Sequence, residues 1–395
     1  MASLSPVMTP GELKNVLEAE THNNGLTQSG IFQCWLQGII GTDMPFGMSN
    51  SAATLALQDA IIVGLDAEWY EHDASLITEL GVCVLDPRTI PKPSSNNTTG
   101  PSPAWDILAA LETHHVRIKP HAHLVNKDFC SGYPENFQFG STTFASISTA
   151  QKMLRSIFLR QDEHASPRPV IFIGHAVDND YEVLKQRFGI DVLSLGTIIT
   201  TLDTQTMAIE QSLSPNNRQI SLKNLLAHYG IQEQYLHNAG NDIVTTLITA
   251  LLMAYPTPPT PTPTPTALSY ANLKPLLTSF NTASSPHRPS YGQLRFCTKC
   301  DSELHTLRHC KVSMLHCDFC AADPKSAPQC HTHKTDKCGD AARTRATNKA
   351  TAVAPKTQNA VPCQWCVQST DPKRYKGREA YGHESAECPF LEQVV

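Results

Sequence analysis

The sequence predicts an α/β fold in which helices flank a mixed sheet. Short apolar runs of the buried-strand type occur at 61–65, 76–85 and 170–173. Apolar residues recur with a helical period between 142 and 159. Because strands come first and then alternate with helices, we expect a single mixed sheet with helices packed on it.

The remaining elements follow from the same periodicities and from stop signals. A short run at 116–118 is a third strand candidate. Helices are expected at 180–188, at 222–229, where Gly230 ends the pattern, and at 241–254. One short helix is expected at 10–20, within an otherwise irregular N-terminal segment.

The Pro/Thr repeat at 256–266 is the strongest boundary in the chain, because such sequence favours extended polyproline II and builds no core. Residues 339–360 are of low complexity and are expected to be disordered. The predicted organisation is an irregular lead-in (1–57), an α/β domain (58–254), a Pro/Thr-rich linker (255–290), two Cys/His modules (291–338), a disordered linker (339–360) and a third Cys/His module (361–395).

Charge is distributed unevenly along the 395 residues. Residues 1–284 hold 15 Lys and Arg against 25 Asp and Glu, whereas residues 285–395 hold 16 against 11. A basic C-terminal region on an acidic body favours contact with a polyanion, although a solvated linker with incidental lysines gives the same asymmetry.

Cysteine usage indicates an intracellular protein of the cytoplasm or nucleus. The first twenty residues lack the basic and apolar regions of a secretory signal, and no stretch approaches 18 uninterrupted apolar residues. Ten of the 13 Cys follow residue 296, several of them as CxxC pairs. Without a secretory signal, such pairs indicate metal ligands rather than disulfides.

Acidic residues occur where apolar segments end or where helices begin. Asp66 and Glu68 are one residue apart, so on a strand they share a face. Asp180 stands at the predicted start of a helix, and His237 precedes Asp242 by five positions. Charges beside buried sequence are costly unless a cation compensates them, and hard divalent ions prefer oxygen ligands. These carboxylates therefore predict a Mg²⁺ or Mn²⁺ site.

The three motifs, in this order, resemble those of the DEDDh exonucleases of the ribonuclease H-like superfamily. These are DxE after the first strand, Gly174-His175 leading to an Asp, and His-x4-Asp at the last helix. Segment 115–140 looks most similar to a fungal exonuclease-like family named for suppressors of an mRNA-export helicase defect. Ala176 stands where many members have Asn, and Asp178 competes with Asp180 for the second motif.

The resemblance implies a ribonuclease H-like sheet and a 3′–5′ exonuclease that uses two Mg²⁺ or Mn²⁺ ions. Asp66, Glu68, Asp180 and Asp242 would hold the metals, and His237 would be the general base. His115 is expected to be an ordinary surface histidine, and His175 a structural hydrogen-bonding residue.

Three Cys/His sets repeat the frame C-x2-C…H-x4-C of CCHC zinc knuckles, whose closed ligand sets are structural. In the second set Cys330 or His331 is an alternative to His333. The sets are Cys297, Cys300, His305 and Cys310; Cys317, Cys320, His333 and Cys338; and Cys363, Cys366, His383 and Cys388.

Zinc knuckles commonly bind single-stranded nucleic acid, and Phe296, Phe319, Trp365 and Tyr381 are candidates for base stacking. We therefore expect an exonuclease with a tethered zinc-knuckle array that captures single-stranded nucleic acid, with RNA favoured by the family resemblance. Two alternatives stay open, namely a non-catalytic nucleic-acid-binding adaptor that keeps the fold and a protein-interaction scaffold built on the zinc modules.

Overall fold

The computed structural model describes residues 8–40, 48, 50–90, 107–214, 218–254 and 291–353. Its sheet has the strand order β4-β3-β2-β1-β5-β6. The strands are β1 (Ile61–Tyr70), β2 (Asp73–Leu85), β3 (Glu112–Ile118), β4 (Thr142–Ala145), β5 (Val170–Gly174) and β6 (Ile198–Asp203). Strands β1, β2 and β3 pair antiparallel, whereas β4 pairs parallel with β3, and β5 and β6 continue the sheet parallel to β1. The predicted mixed α/β sheet is confirmed.

Ten helices are described. They are α1 (Pro10–Asn24), α2 (Gln28–Ile40), α3 (Ser51–Gln58), α4 (Ile147–Phe158), α5 (Val177–Val183, continued by a π-helical turn Leu184–Phe188), α6 (Thr204–Glu210), α7 (Leu222–His228), α8 (Ala239–Ala254), α9 (Asp318–Ala322) and α10 (Gly339–Val353). The sheet has one apolar core on each side. Helices α1, α2, α3, α6, α7 and α8 contribute to one core, and α4 and α5 contribute to the other.

The prediction of an irregular N-terminal segment is wrong for the described residues, because they form the helices α1, α2 and α3. A capping box starts α1, in which Thr9 and Glu12 satisfy each other's backbone N–H groups. The indole of Trp35 on α2 is fully buried and donates a hydrogen bond to the carbonyl of Ala60, which precedes β1. These helices therefore belong to the core that supports β1.

Other expectations need smaller corrections. The helical pattern at 142–159 is strand β4 followed by α4, which begins after the N-cap Ser146. The segment expected to be a disordered linker begins with helix α10, since residues 339–353 are rich in good helix formers. The Pro/Thr linker and the third Cys/His module, 361–395, lie outside the described residues.

Candidate active site

The first motif lies on the central strand of the sheet. Asp66 and Glu68 are on β1, between the antiparallel β2 and the parallel β5. Their alternate positions place both side chains on one face. The β1–β2 register shifts directly after Glu68, which marks a bulge at the end of the regular pairing.

The second motif supplies a buried carboxylate from helix α5. Asp180 on α5 is 5% exposed, and its Oδ1 accepts the backbone N–H of Ala67 at 3.1 Å, between the two acidic residues of β1. Asp178, the competing residue, is exposed. The residue before α5, Ala176, has a left-handed backbone (φ 57°), a conformation that Asn adopts more readily than Ala.

The third motif lies at the start of α8. Asp242 is 8% exposed, and its Oδ2 accepts the backbone N–H of His237 at 2.9 Å. His237 has φ 64°, a strained conformation for a non-glycine residue that the surrounding structure must hold in place. The hydrogen bond holds the backbone of His237 beside Asp242.

Two glycines let α8 approach the sheet closely enough to deliver Asp242. Gly81 on β2 lies opposite Asp66, and a Cβ there would fall 1.8 Å from the carbonyl oxygen of Ala239 at the helix start. A Cβ on Gly240 would fall 2.6 Å from the ring of Phe137. Any side chain at Gly81 would therefore push the helix, and Asp242 with it, away from β1.

The convergence of these carboxylates has an electrostatic cost. Burial, together with the nearby Glu79 carboxylate, raises the pKa of Asp66 to about 7. Burial also raises the pKa values of Glu68, Asp180 and Asp242 well above their usual range, and in each case the charge of Asp66 adds to the effect. A group of acids in this state favours either protonation or a cation.

Two buried carboxylate oxygens, Oδ2 of Asp66 and Oδ1 of Asp242, have no hydrogen-bond partner among the described residues. Buried polar atoms are normally satisfied, and a metal ion is a recognised exception. One oxygen of Glu68 and one of Asp242 also lie within 4.8 Å of each other and of a ring nitrogen of His237. The donor set, which is mainly carboxylate oxygens, therefore fits a hard divalent ion.

His237 lies at the rim of this cluster. Its Nδ1 is 4.0 Å from Oε1 of Glu68, and its side chain is 53% exposed. Partial burial lowers the pKa of the imidazole below its ordinary 6.5, so the ring is neutral at pH 7. A neutral imidazole beside buried carboxylates is able to accept a proton from a water molecule.

Sequence reasoning missed a further buried pair next to the site. Glu79 on β2 lies opposite Glu68 in the strand register and is 4% exposed. His115 on β3, expected at the surface, is fully buried, and its Nε2 lies 2.8 Å from Oε2 of Glu79. The other ring nitrogen of His115 contacts Thr142 Oγ1 at 2.9 Å. No local signal was available, because the alternation of β3 places His115 on the same face as Arg117, a residue type that is usually exposed.

His175 and Asp203 hold the loop between β5 and α5. The His175 ring contacts Thr204 Oγ1 at 2.8 Å, and burial lowers its pKa to about 4. Asp203 accepts the backbone N–H groups of Ala176 and Val177. Both residues position the backbone that leads to Asp180.

Two of the predicted zinc sets come together in the structure. Donor atoms of the first set, and separately of the second, lie within 4.8 Å of one another. The first set is Cys297, Cys300, His305 and Cys310, and the second is Cys317, Cys320, His333 and Cys338. Donors about 2.3 Å from one tetrahedral ion lie roughly 3.8 Å apart. Distances of 3.4 Å (Cys300–His305) and 3.6 Å (Cys320–Cys338) suit that geometry.

The first Cys/His module packs against the edge of the sheet. Gln293 forms an antiparallel bridge with Phe144 on β4, and Phe296 packs on the Phe144 ring. Phe296 is 5% exposed, so its expected role in base stacking is wrong. Asp301 of the first module forms ion pairs with Lys334 and Lys337 of the second. The first module therefore packs on the sheet edge and the second is joined to the first, where a tethered array was expected.

Residues 61–253 match the sequence model of a family described as DEDDh_C, the DNA polymerase III subunit epsilon-like C-terminal domain. This region contains all five residues of the three motifs. In sequence, this region is similar to the DEDDh exonuclease-like family. The predicted ribonuclease H-like fold and the family resemblance are thus confirmed, and they support a nuclease or nucleic-acid-binding function.

Two curated relatives are fungal. A Schizosaccharomyces pombe protein described as an uncharacterized nucleolar protein is 32% identical over 187 residues, which are 45% of this chain and 62% of that protein. The Saccharomyces cerevisiae protein named Good for full DBP5 activity protein 2 is 25% identical over 213 residues, covering 49% of this chain and 35% of that protein. The chain thus spans between about one third and three fifths of the length of these relatives.

Among solved structures, E. coli exonuclease I bound to a dA16 oligonucleotide is similar, with a TM-score of 0.31 and 12% identity over 50% of this chain and 42% of that one. A zinc-bound complex of the same enzyme with single-stranded DNA gives a TM-score of 0.30 and 13% identity, over 49% of this chain and 40% of that one. Within the described ranges, no helix of this chain is long and apolar enough to cross a membrane.

Proposed function

We propose that this protein is a metal-dependent 3′–5′ exonuclease that hydrolyses phosphodiester bonds of single-stranded nucleic acid. The observation that carries the proposal is the pair of unpartnered, buried oxygens on Asp66 and Asp242, within a cluster of acids whose pKa values are raised. A purely structural site would pair these oxygens with donors. The cluster instead has the composition and electrostatics of a site for divalent cations.

Asp66, Glu68, Asp180 and Asp242 would hold two Mg²⁺ or Mn²⁺ ions. Asp66 lies centrally, since its charge raises the pKa of each of the other three carboxyls. When bound, such ions supply an activated water and charge stabilisation at the leaving oxygen. Asp180 is held in place by the backbone N–H of Ala67, which lies between Asp66 and Glu68.

His237 would act as the general base. Its ring is half-exposed at the rim, where substrate and water have access, and it is neutral at pH 7 because burial lowers its pKa. The Asp242 carboxylate holds its backbone N–H, so the carboxylate and the base are positioned together. His237 would take the proton of the attacking water and release it to solvent.

RNA is the favoured substrate, on the family resemblance, and the nucleus is the favoured location, because one relative is described as nucleolar. Zinc in the Cys/His modules would be structural, and the modules would capture single-stranded nucleic acid close to the sheet. Since the first module is packed on β4 and the second is ion-paired with the first, capture would occur at a fixed position relative to the active site.

The test is degradation of a single-stranded RNA and of its DNA counterpart, each labelled at the 5′ end, by the full chain with Mg²⁺ or Mn²⁺. We expect a ladder that shortens from the 3′ end. Asp180→Asn should reduce the rate by at least about 100-fold, the scale of losing a catalytic group. Asp178→Asn, an exposed neighbour of the same chemistry, is the matched control and should retain the rate.

Cleavage that survives in the Asp66→Asn and Glu68→Gln double variant would show that the activity arises elsewhere. Folded wild-type protein that binds RNA but cleaves neither substrate would favour the adaptor. Protein that neither cleaves nor shows salt-dependent binding would favour the scaffold.

A further inference from the structure

A third group of metal-type ligands lies in the second Cys/His module and belongs to neither tetrad. One donor atom from each of His316, Cys330 and His331 lies within 4.8 Å of the other two. We call these three residues the His316 cluster. Cys330 is 9% exposed, whereas both histidines are exposed to solvent. His333, rather than Cys330 or His331, joins the second tetrad, so the cluster is left without an assigned role.

The backbone brings the cluster together. The N–H of Cys317 donates to the carbonyl of Cys330 at 2.8 Å, and the N–H of Leu315 donates to the carbonyl of His331 at 3.4 Å. These two hydrogen bonds hold residues 315–317 alongside residues 330–331. Because Cys317 is a ligand of the second tetrad, folding of that tetrad also assembles the cluster.

Hydrogen bonds to the two imidazoles leave one nitrogen of each ring for a ligand. His331 Nδ1 lies 3.2 Å from the carbonyl oxygen of Leu315, which leaves Nε2. His316 Nε2 lies 3.2 Å from Oδ1 of Asp318, which leaves Nδ1. Asp318 is itself held by Thr335, whose hydroxyl donates to its other oxygen. Carbonyl or carboxylate partners on the far ring nitrogen are typical of histidines that bind metals, since they fix the tautomer.

We propose that the His316 cluster is a third transition-metal site of the described region, which takes Zn²⁺ or a similar ion through two imidazoles and one thiolate. Nitrogen and sulfur donors favour this class of metal and disfavour Mg²⁺. Three protein ligands leave the fourth position to water or a small anion. The site is partly exposed and has one thiolate, whereas each tetrad has three. Its affinity for zinc should therefore be weaker than that of either tetrad. It is independent of the nuclease site.

The test compares zinc binding by the full chain and by a His316→Ala, His331→Ala double variant. Zinc-loaded proteins are dialysed against buffered free Zn²⁺ and their zinc content is measured by mass spectrometry. We expect the variant to hold one equivalent less than the wild type. The control is the His164→Ala, His228→Ala double variant, which removes two exposed histidines elsewhere and should hold the wild-type amount.

Cobalt provides a second measurement that tests the thiolate. Co²⁺ added to wild-type protein that has been dialysed until only the tetrads retain zinc should give a thiolate-to-cobalt absorption band that is lost in Cys330→Ser and kept in Cys130→Ser. Equal zinc contents together with no such band would overturn the proposal. A loss of two equivalents in the His316, His331 variant would also overturn it, because the cluster would then be part of the second tetrad's folding.

Discussion

Neutralising Asp66 is expected to stabilise the protein when divalent ions are absent, although it should abolish activity. The pKa of Asp66 is about 7 in the folded protein, against an ordinary value of 3.8. At about 1.4 kcal/mol per pKa unit, ionising this group in the fold costs roughly 4 kcal/mol. Asn has nearly the same shape and avoids the cost. It also removes the charge that raises the pKa of Glu68, Asp180 and Asp242.

The direction in which folding stability changes with pH follows from proton binding. The folded protein holds the Asp66 proton more tightly than the unfolded chain, so the metal-free wild type loses stability as the pH rises from about 4 through 7. The advantage of Asp66→Asn should therefore be less than half of its maximum at pH 5 and close to its maximum at pH 8. With about 2–4 °C per kcal/mol for a domain of this size, an upper limit is a Tm difference of roughly 16 °C.

The assay is thermal unfolding at pH 5 and pH 8, in buffer depleted of Mg²⁺ and Mn²⁺ but without a chelator that would remove zinc. Asp178→Asn is the control and should match the wild type at both values. Added Mn²⁺ should stabilise the wild type more than the variant, because only the wild type keeps the full ligand set. An Asp66→Asn protein that is no more stable than wild type at pH 8 would refute the convergence of repelling carboxylates.

Three further predictions test the base, the helix approach and the module contact. At saturating Mn²⁺, the acid limb of the pH profile of kcat/KM should have its midpoint below pH 6.5, because burial lowers the pKa of His237. A midpoint above pH 7 would contradict the role of His237 as general base. Gly81→Ala should lower the free energy of urea unfolding by about 1–3 kcal/mol and remove most activity, because its Cβ meets the α8 backbone. Gly11→Ala, whose Cβ meets nothing within 4 Å, should change neither stability nor activity. Phe296→Ala should lower the free energy of unfolding by about 3 kcal/mol and speed amide hydrogen exchange in β4, because Phe296 packs on Phe144. Leu304→Ala, at a site 83% exposed, should leave β4 protected. Equal exchange in the two variants would show that the module does not support the strand.

Local pattern was sufficient to predict much of the sheet and to select the candidate residues. The apolar run before Asp66 indicated β1, and the spacing of Asp66 from Glu68 placed both on one face. The choice of Asp180 over Asp178 rested on its distance from Gly174-His175, which matches the family that the motifs resemble, and the structure shows Asp180 buried and Asp178 exposed. These features depend on residues close together in the chain.

Features that depend on distant contacts were missed. Strand β6 exists through its pairing with β5, which its short polar-apolar sequence does not reveal. The partner of Glu79 is His115, 36 residues further along the chain, and nothing local marks either residue as buried. Phe296 looked available for stacking, since only the fold brings Phe144 against it. The capping box at Thr9 and Glu12 marks the start of α1, which ends four residues beyond the predicted helix.

The most direct test of the two-metal account is a crystal structure with Mn²⁺, using anomalous scattering to locate the ions. The account predicts two manganese peaks, both in contact with Asp66 and completed by Glu68, Asp180 and Asp242, with His237 beside them. It also predicts that the peaks disappear in Asp66→Asn crystals. A fully ordered carboxylate cluster without manganese at saturating concentration would contradict the account.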